Sequence, residues 1–105
     1  MAFVRAASLE EVPEGEVVGV EAGGARLCLA RVEGEVYAFQ DRCSHREFPL
    51  SSGELDSEEC TITCEWHGAR FDIRTGEPQC LPATRPIPVY ACRVDGGEIY
   101  VDVPA

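Results

Sequence analysis

Along this 105-residue chain the apolar positions fall in short runs rich in β-branched and aromatic residues, each bounded by Gly or Pro. Such runs predict strands at Phe3 to Ala6, Val17 to Val20, Ala25 to Val32 and Glu35 to Gln40, with Glu33-Gly34 as a hairpin turn. Arg31-Val32-Glu33-Gly34 followed by Val36-Tyr37 is echoed by Arg93-Val94-Asp95-Gly96 followed by Ile99-Tyr100. The echo predicts a second, similar hairpin rather than a repeat architecture. Ser8 to Val12 reads as one helical turn before Pro13. Between the hairpins, strands are expected near Thr61 to Thr63 and Arg70 to Ile73, after which Pro78, Pro82, Pro86 and Pro88 restrict the backbone. The fold class is all-β: an antiparallel β-sandwich or barrel base over 1–39 and 83–105, with an inserted subdomain over about 40–82, together one domain over 1–105.

Composition narrows what such a domain can be. Its length suits one modest core and leaves no room for a separate catalytic domain. Met1 to Glu11 lacks the basic, apolar, small-residue order of a secretion signal, and no stretch approaches the eighteen or so apolar residues of a membrane span. A cytoplasmic location is expected, and with it reduced thiols. Of the six cysteines, Cys28 and Cys92 sit in strand-like apolar runs and read as core, while Cys60 and Cys80 flank the chemistry described next. A disulfide between Cys60 and Cys80 is disfavoured in a reducing compartment.

The formal net charge of −10 argues against nucleic acid and anionic membrane as partners and favours a basic docking protein. Acidic residues gather at Glu10 to Glu16, at Glu33 and Glu35, and at Glu54 to Glu59. A solvated surface that keeps a small protein soluble explains these groups as well as a docking patch does.

The chain's two histidines stand in Cys43-Ser44-His45 and Cys64-Glu65-Trp66-His67, the pattern C-x-H…C-x-x-H. Two thiolates and two imidazoles can hold one tetrahedral zinc or a binuclear iron–sulfur cluster whose irons are ligated unequally. Structural zinc knuckles place both ligands of a knuckle on one ion and use C-x-x-C or H-x-x-x-H spacing. The spacing here lets each segment give one ligand to each of two metals, which points to the cluster; a zinc-bound or metal-free module is the alternative.

The motif closely resembles the Rieske family, and the similarity extends to Gly68, Phe71-Asp72, the Thr75-Gly76 turn and the proline-rich stretch near Pro82. The resemblance spans essentially the whole chain. It implies a Rieske-like fold carrying one [2Fe-2S] cluster, with Cys43 and Cys64 on a buried iron and His45 and His67 on an outer iron near solvent. Pro82 would belong to a third loop shielding the cluster, and the stretch between the motifs is a residue or so longer than usual, as a surface loop tolerates.

Such a centre is formally near neutral when oxidised, against about −2 for an all-cysteine cluster, so it is easier to reduce. High-potential relatives carry a disulfide at the positions of Phe48 and Trp66, and a serine and a tyrosine that donate to sulfur at those of Ala69 and Phe71. All four are apolar here, which predicts the low end of a range of roughly −150 to +300 mV. With both histidines used, no residues remain for the mononuclear iron of an oxygenase, so the chain is expected to be an electron-transfer protein and not an enzyme. The resemblance implies a soluble ferredoxin carrying single electrons from a flavoprotein reductase to a terminal oxygenase of an aromatic-ring dioxygenase system. The alternative is a fixed Rieske-like small subunit, as in assimilatory nitrite reductase, which would expose a large apolar patch.

Overall fold

The computed structural model describes residues 2–42, 49–64, 68–80 and 85–103. In chain order its strands are β1 (Ala2–Ser8), β2 (Val17–Ala22), β3 (Ala25–Val32), β4 (Glu35–Gln40), β5 (Glu54–Asp56), β6 (Thr61–Thr63), β7 (Arg70–Asp72), β8 (Pro78–Cys80), β9 (Val89–Tyr90), β10 (Cys92–Asp95) and β11 (Glu98–Val103). They pair antiparallel in three sheets, ordered β1-β11-β10, β2-β3-β4-β9 and β5-β6-β7-β8. Two 3-10 turns, Leu9–Glu11 and Leu50–Ser52, join them.

The strands β3, β4 and β6 fall where the sequence puts them, and the turn predicted over Ser8 to Val12 is the first 3-10 turn. Its start is fixed by Glu11, whose Oε1 accepts from the Ser8 amide (2.9 Å) and hydroxyl (3.0 Å). The hairpin turn between β3 and β4 holds Glu33 and Gly34 at φ +50° and +79°, the mirror-image turn whose twist suits paired strands. Their two amides donate to the Glu14 carboxylate, at 2.6 and 2.8 Å. The strand expected over Arg70 to Ile73 ends at Asp72: the Ile73 amide still reaches the Cys60 carbonyl in register (3.1 Å), but Cys60 takes φ +58° and residues 73–75 form a turn. Strands β5 and β8 were not foreseen. Each is three residues long, and Pro78 is tolerated because β8 is a sheet edge where its missing N–H leaves no ladder bond open.

Strand β3 is buried on both faces. Leu27 and Leu29 pack with Ala7, Val12, Ile99 and Val101 on one side, while Cys28, Ala30 and Val32 pack with Phe39, Leu50, Ile62 and Phe71 on the other. A strand covered on both sides needs the near-continuous apolar run that Ala25–Val32 has, rather than strict alternation. The third sheet enters between two strands that are neighbours: β4 pairs directly with β9, Ala38 opposite Tyr90 and Phe39 opposite Val89. Its core, through Ile62, Phe71 and Ile73, is continuous with the outer face of β3.

Candidate metal centre

The register of the third sheet places Glu54 opposite Thr63, Thr63 opposite Arg70, and Arg70 opposite Cys80. These residues mark one end of the sheet, and three chain segments attach there. Segment 43–48 arrives through Pro49 to Gly53, segment 65–67 links Cys64 to Gly68, and segment 81–84 follows Cys80. Of the four predicted ligands, Cys43, His45 and His67 fall in these segments and, with Phe48, Trp66 and Pro82, lie outside the described residues. Among the described residues no three His, Cys, Asp or Glu side chains group as a metal site.

Cys64 is described. It follows β6, is 1% exposed, and belongs to the apolar cluster that contains Leu50, Ile62, Ala69 and Phe71. Its amide donates to the Ala69 carbonyl at 2.6 Å, closing the loop that carries residues 65–67, and Gly68 takes φ +70° on the way back. A cavity of about 330 Å³ lined by Ser52, Gly53, Glu54, Thr63, Cys64 and Gly68 lies beside this loop.

Two contacts fasten the first segment to this end. The second 3-10 turn delivers Gly53 against the Thr63 carbonyl so closely that a β-carbon there would collide with the oxygen. At the other end Asp41, just after β4, buries its carboxylate completely. Oδ1 accepts from the Ser51 amide (2.8 Å) and Cys28 Sγ (3.1 Å), and Oδ2 from Ser51 Oγ (2.9 Å) and Arg26 Nε (2.9 Å). Burial pushes the Asp41 carboxyl up, but the bonds from Ser51, Cys28 and Arg26 outweigh it and hold the group below the usual carboxylate range. The Cys28 thiol is pushed far up by burial and then by the Asp41 charge, so it stays protonated and donates.

The sequence reading missed Asp41, Ser51, Arg26 and Gly19. Cys28 read correctly as core, but its bond to Asp41 was not visible in an apolar run. The one signal was that Asp41 and Ser51 bracket the C-x-H motif. Cys60, which the sequence left open to pairing with Cys80, is a buried free thiol whose backbone takes φ +58°.

The family model of the Rieske [2Fe-2S] domain matches residues 2–91. The 3-phenylpropionate/cinnamic acid dioxygenase ferredoxin subunit of Escherichia coli (strain K12) is 40% identical over 101 residues, covering 96% of this chain and 93% of its own length. The ferredoxin of carbazole 1,9a-dioxygenase from Nocardioides aromaticivorans IC177 superposes with a TM-score of 0.91 at 37% identity, over 96% of this chain and 97% of that one. A ferredoxin solved as a complex of reduced oxygenase and oxidized ferredoxin in carbazole 1,9a-dioxygenase gives a TM-score of 0.85 at 34% identity, over 94% and 91%. A three-sheet fold whose described residues on either side of segment 65–67 and after segment 43–48 meet at one end, matched to these relatives over nearly its whole length, places the chain in the Rieske [2Fe-2S] domain family.

Proposed function

We propose that this protein is a one-electron carrier that takes electrons from a flavoprotein reductase and delivers them to a terminal oxygenase. The observation that carries the reading is the attachment of both motif-bearing segments to one end of the third sheet, with the Cys64 thiol buried at its base. The family's single [2Fe-2S] cluster supplies a one-electron couple when bound. The described residues fit it: Cys64 is a soft sulfur donor, Leu50, Ala69 and Phe71 around it bring no competing charge, and Gly68 adds no side chain. In this reading Cys43 and Cys64 would hold one iron, and His45 and His67 would hold the other.

The apolar surroundings of Cys64 also support a low potential. Ala69 and Phe71 are fully buried and carry no hydroxyl, so neither donates to sulfur and the more negative reduced state lacks that stabilisation. The charge of −10 suits transient docking to basic partners. Among the described residues the exposed large apolar side chains, Phe3, Val89 and Val94, stand on three different strands, as befits a shuttle more than a fixed subunit. The complex of oxygenase and ferredoxin in carbazole 1,9a-dioxygenase supports the same kind of partner here. A cytoplasmic location agrees with the absence, among the described residues, of any helix long and apolar enough to cross a membrane.

The test is anaerobic stopped-flow mixing with a flavoprotein reductase, NADH and a terminal oxygenase of an aromatic-ring dioxygenase system. Visible absorbance should bleach with the reductase and return with the oxygenase, at rates that fall as salt is added. A protein that neither component reduces or reoxidises would overturn the reading.

A further inference from the structure

We propose that Asp41 and Ser51 form a latch that positions the first ligand segment, so that the metal-holding geometry of Cys43 and His45 depends on two residues that are not themselves ligands. The inference rests on the reading of Cys43 and His45 as ligands. Its geometry is contained in described residues. The Asp41 carboxylate has no exposed surface, and two of its four hydrogen bonds go to one residue ten positions further on, the amide and the hydroxyl of Ser51. Those bonds tie the two ends of the chain that runs through Cys43 and His45.

The other two bonds, from Cys28 and Arg26, fasten the latch to β3, the strand packed on both faces and so among the stiffest places in the fold. The backbone adds a bond from the Asp41 amide to the Arg26 carbonyl (3.3 Å). Strand β2 closes over the latch with Gly19, where a β-carbon would come within 2.8 Å of both Asp41 Oδ2 and Ser51 Oγ. A buried carboxylate is tolerated only when its acceptor capacity is filled, and here half of that capacity is spent on closing one segment. Ligands carried on a loop hold a metal well only when the loop's supports restrict it.

The latch makes a prediction that a simple stabilising role does not. Ser51→Ala removes one hydroxyl and no charge, Asp41→Asn weakens both ties, and Arg5→Met breaks an exposed ion pair with Glu98 between β1 and β11, away from the latch. Each holoprotein is purified and challenged with an iron chelator, with loss of visible absorbance followed and the EPR spectrum recorded after dithionite. Ser51→Ala should lose iron about tenfold faster than the parent, the factor for one hydrogen bond to a charged group, and shift the g-values. Arg5→Met, acting on an ion pair open to solvent, should stay within about twofold. Should Asp41→Asn fail to fold, Ser51→Ala alone decides.

A Ser51→Ala protein that melts lower but keeps the parent's g-values and iron-loss rate would overturn the latch and leave the ligand reading standing. A parent protein with no rhombic mixed-ligand signal would instead overturn the ligand reading, and the latch with it.

Discussion

Replacing Gly53 by alanine tests whether the contact between the two motif-bearing segments is as tight as the structure has it. Gly53 sits at φ −84° and ψ −170°, extended backbone that any residue adopts, so conformational strain is not the issue. Space is. The added β-carbon would collide with the Thr63 carbonyl oxygen and would lie 3.0 Å from the Thr63 carbonyl carbon and 3.2 Å from the Leu50 oxygen. All three are backbone atoms and none can rotate away, so the 3-10 turn and β5 must back off from β6. Overpacking of this kind costs about 1–3 kcal/mol, and losing the bond from the Gly53 amide to Leu50 (2.9 Å) adds about 1 kcal/mol. For a domain of this size a total of about 2–4 kcal/mol lowers the melting temperature by roughly 10–30 °C. Gly24→Ala is the control: φ is +80° and nothing lies within 4 Å, so only backbone strain of about 1–2 kcal/mol is added. Thermal unfolding by circular dichroism, with the ratio of visible to ultraviolet absorbance as a measure of cluster content, reads both effects. If Gly53→Ala melts no lower than Gly24→Ala and retains full colour, the close approach of the two segments is wrong.

Ala69→Ser and Phe71→Tyr restore hydroxyls at buried positions next to Cys64; voltammetry should find the potential of the double variant above the parent's, and no change would mean the hydroxyls do not reach sulfur. The Arg74 guanidinium and then the Arg74 amide hold the Asp72 carboxyl below its usual range, opposed by partial burial. A depressed carboxylate stabilises the fold above its unfolded value of about 3.9 and loses that contribution as pH falls through the folded value. The gap in urea midpoint between the parent and Asp72→Asn should therefore be full near pH 6 and close towards pH 3, whereas a constant gap would refute the ion pair as its source. Burial pushes the Cys92 thiol up to about 11 and pushes Cys28 further. With a thiolate fraction of about one in a thousand at pH 8, mass spectrometry of the native protein after iodoacetamide should find both unmodified, and rapid labelling of Cys28 would contradict its place between the sheets.

Where physical information in the sequence is local, it was readable. The runs at Ala25–Val32, Glu35–Gln40 and Thr61–Thr63 carry enough β-branched and apolar residues, bounded by turn formers, to name their strands to the residue. The spacing of Cys43, His45, Cys64 and His67 pointed to the family for the same reason, while their part as its ligands stands as the proposal above. Strands β5 and β8 are too short for a period to show, and Pro78 argues against a strand until the edge position is known. Val94, apolar and in a predicted hairpin, is 44% exposed because β10 is an edge strand. The latch was beyond reach of a local reading: Gly19, Arg26, Cys28 and Ser51 meet Asp41 only through the β2–β3–β4 register and the return of the chain after the first segment.

Everything proposed for this protein depends on two cysteines and two histidines holding one binuclear cluster with its irons ligated unequally. The most direct test is EPR of the anaerobically purified protein after dithionite, with iron and zinc measured on the same sample. The expected result is a brown protein with two irons per chain that bleaches on reduction and gives a rhombic signal with the low average g-value of mixed histidine and cysteine ligation. A colourless, EPR-silent protein with one zinc per chain would contradict it.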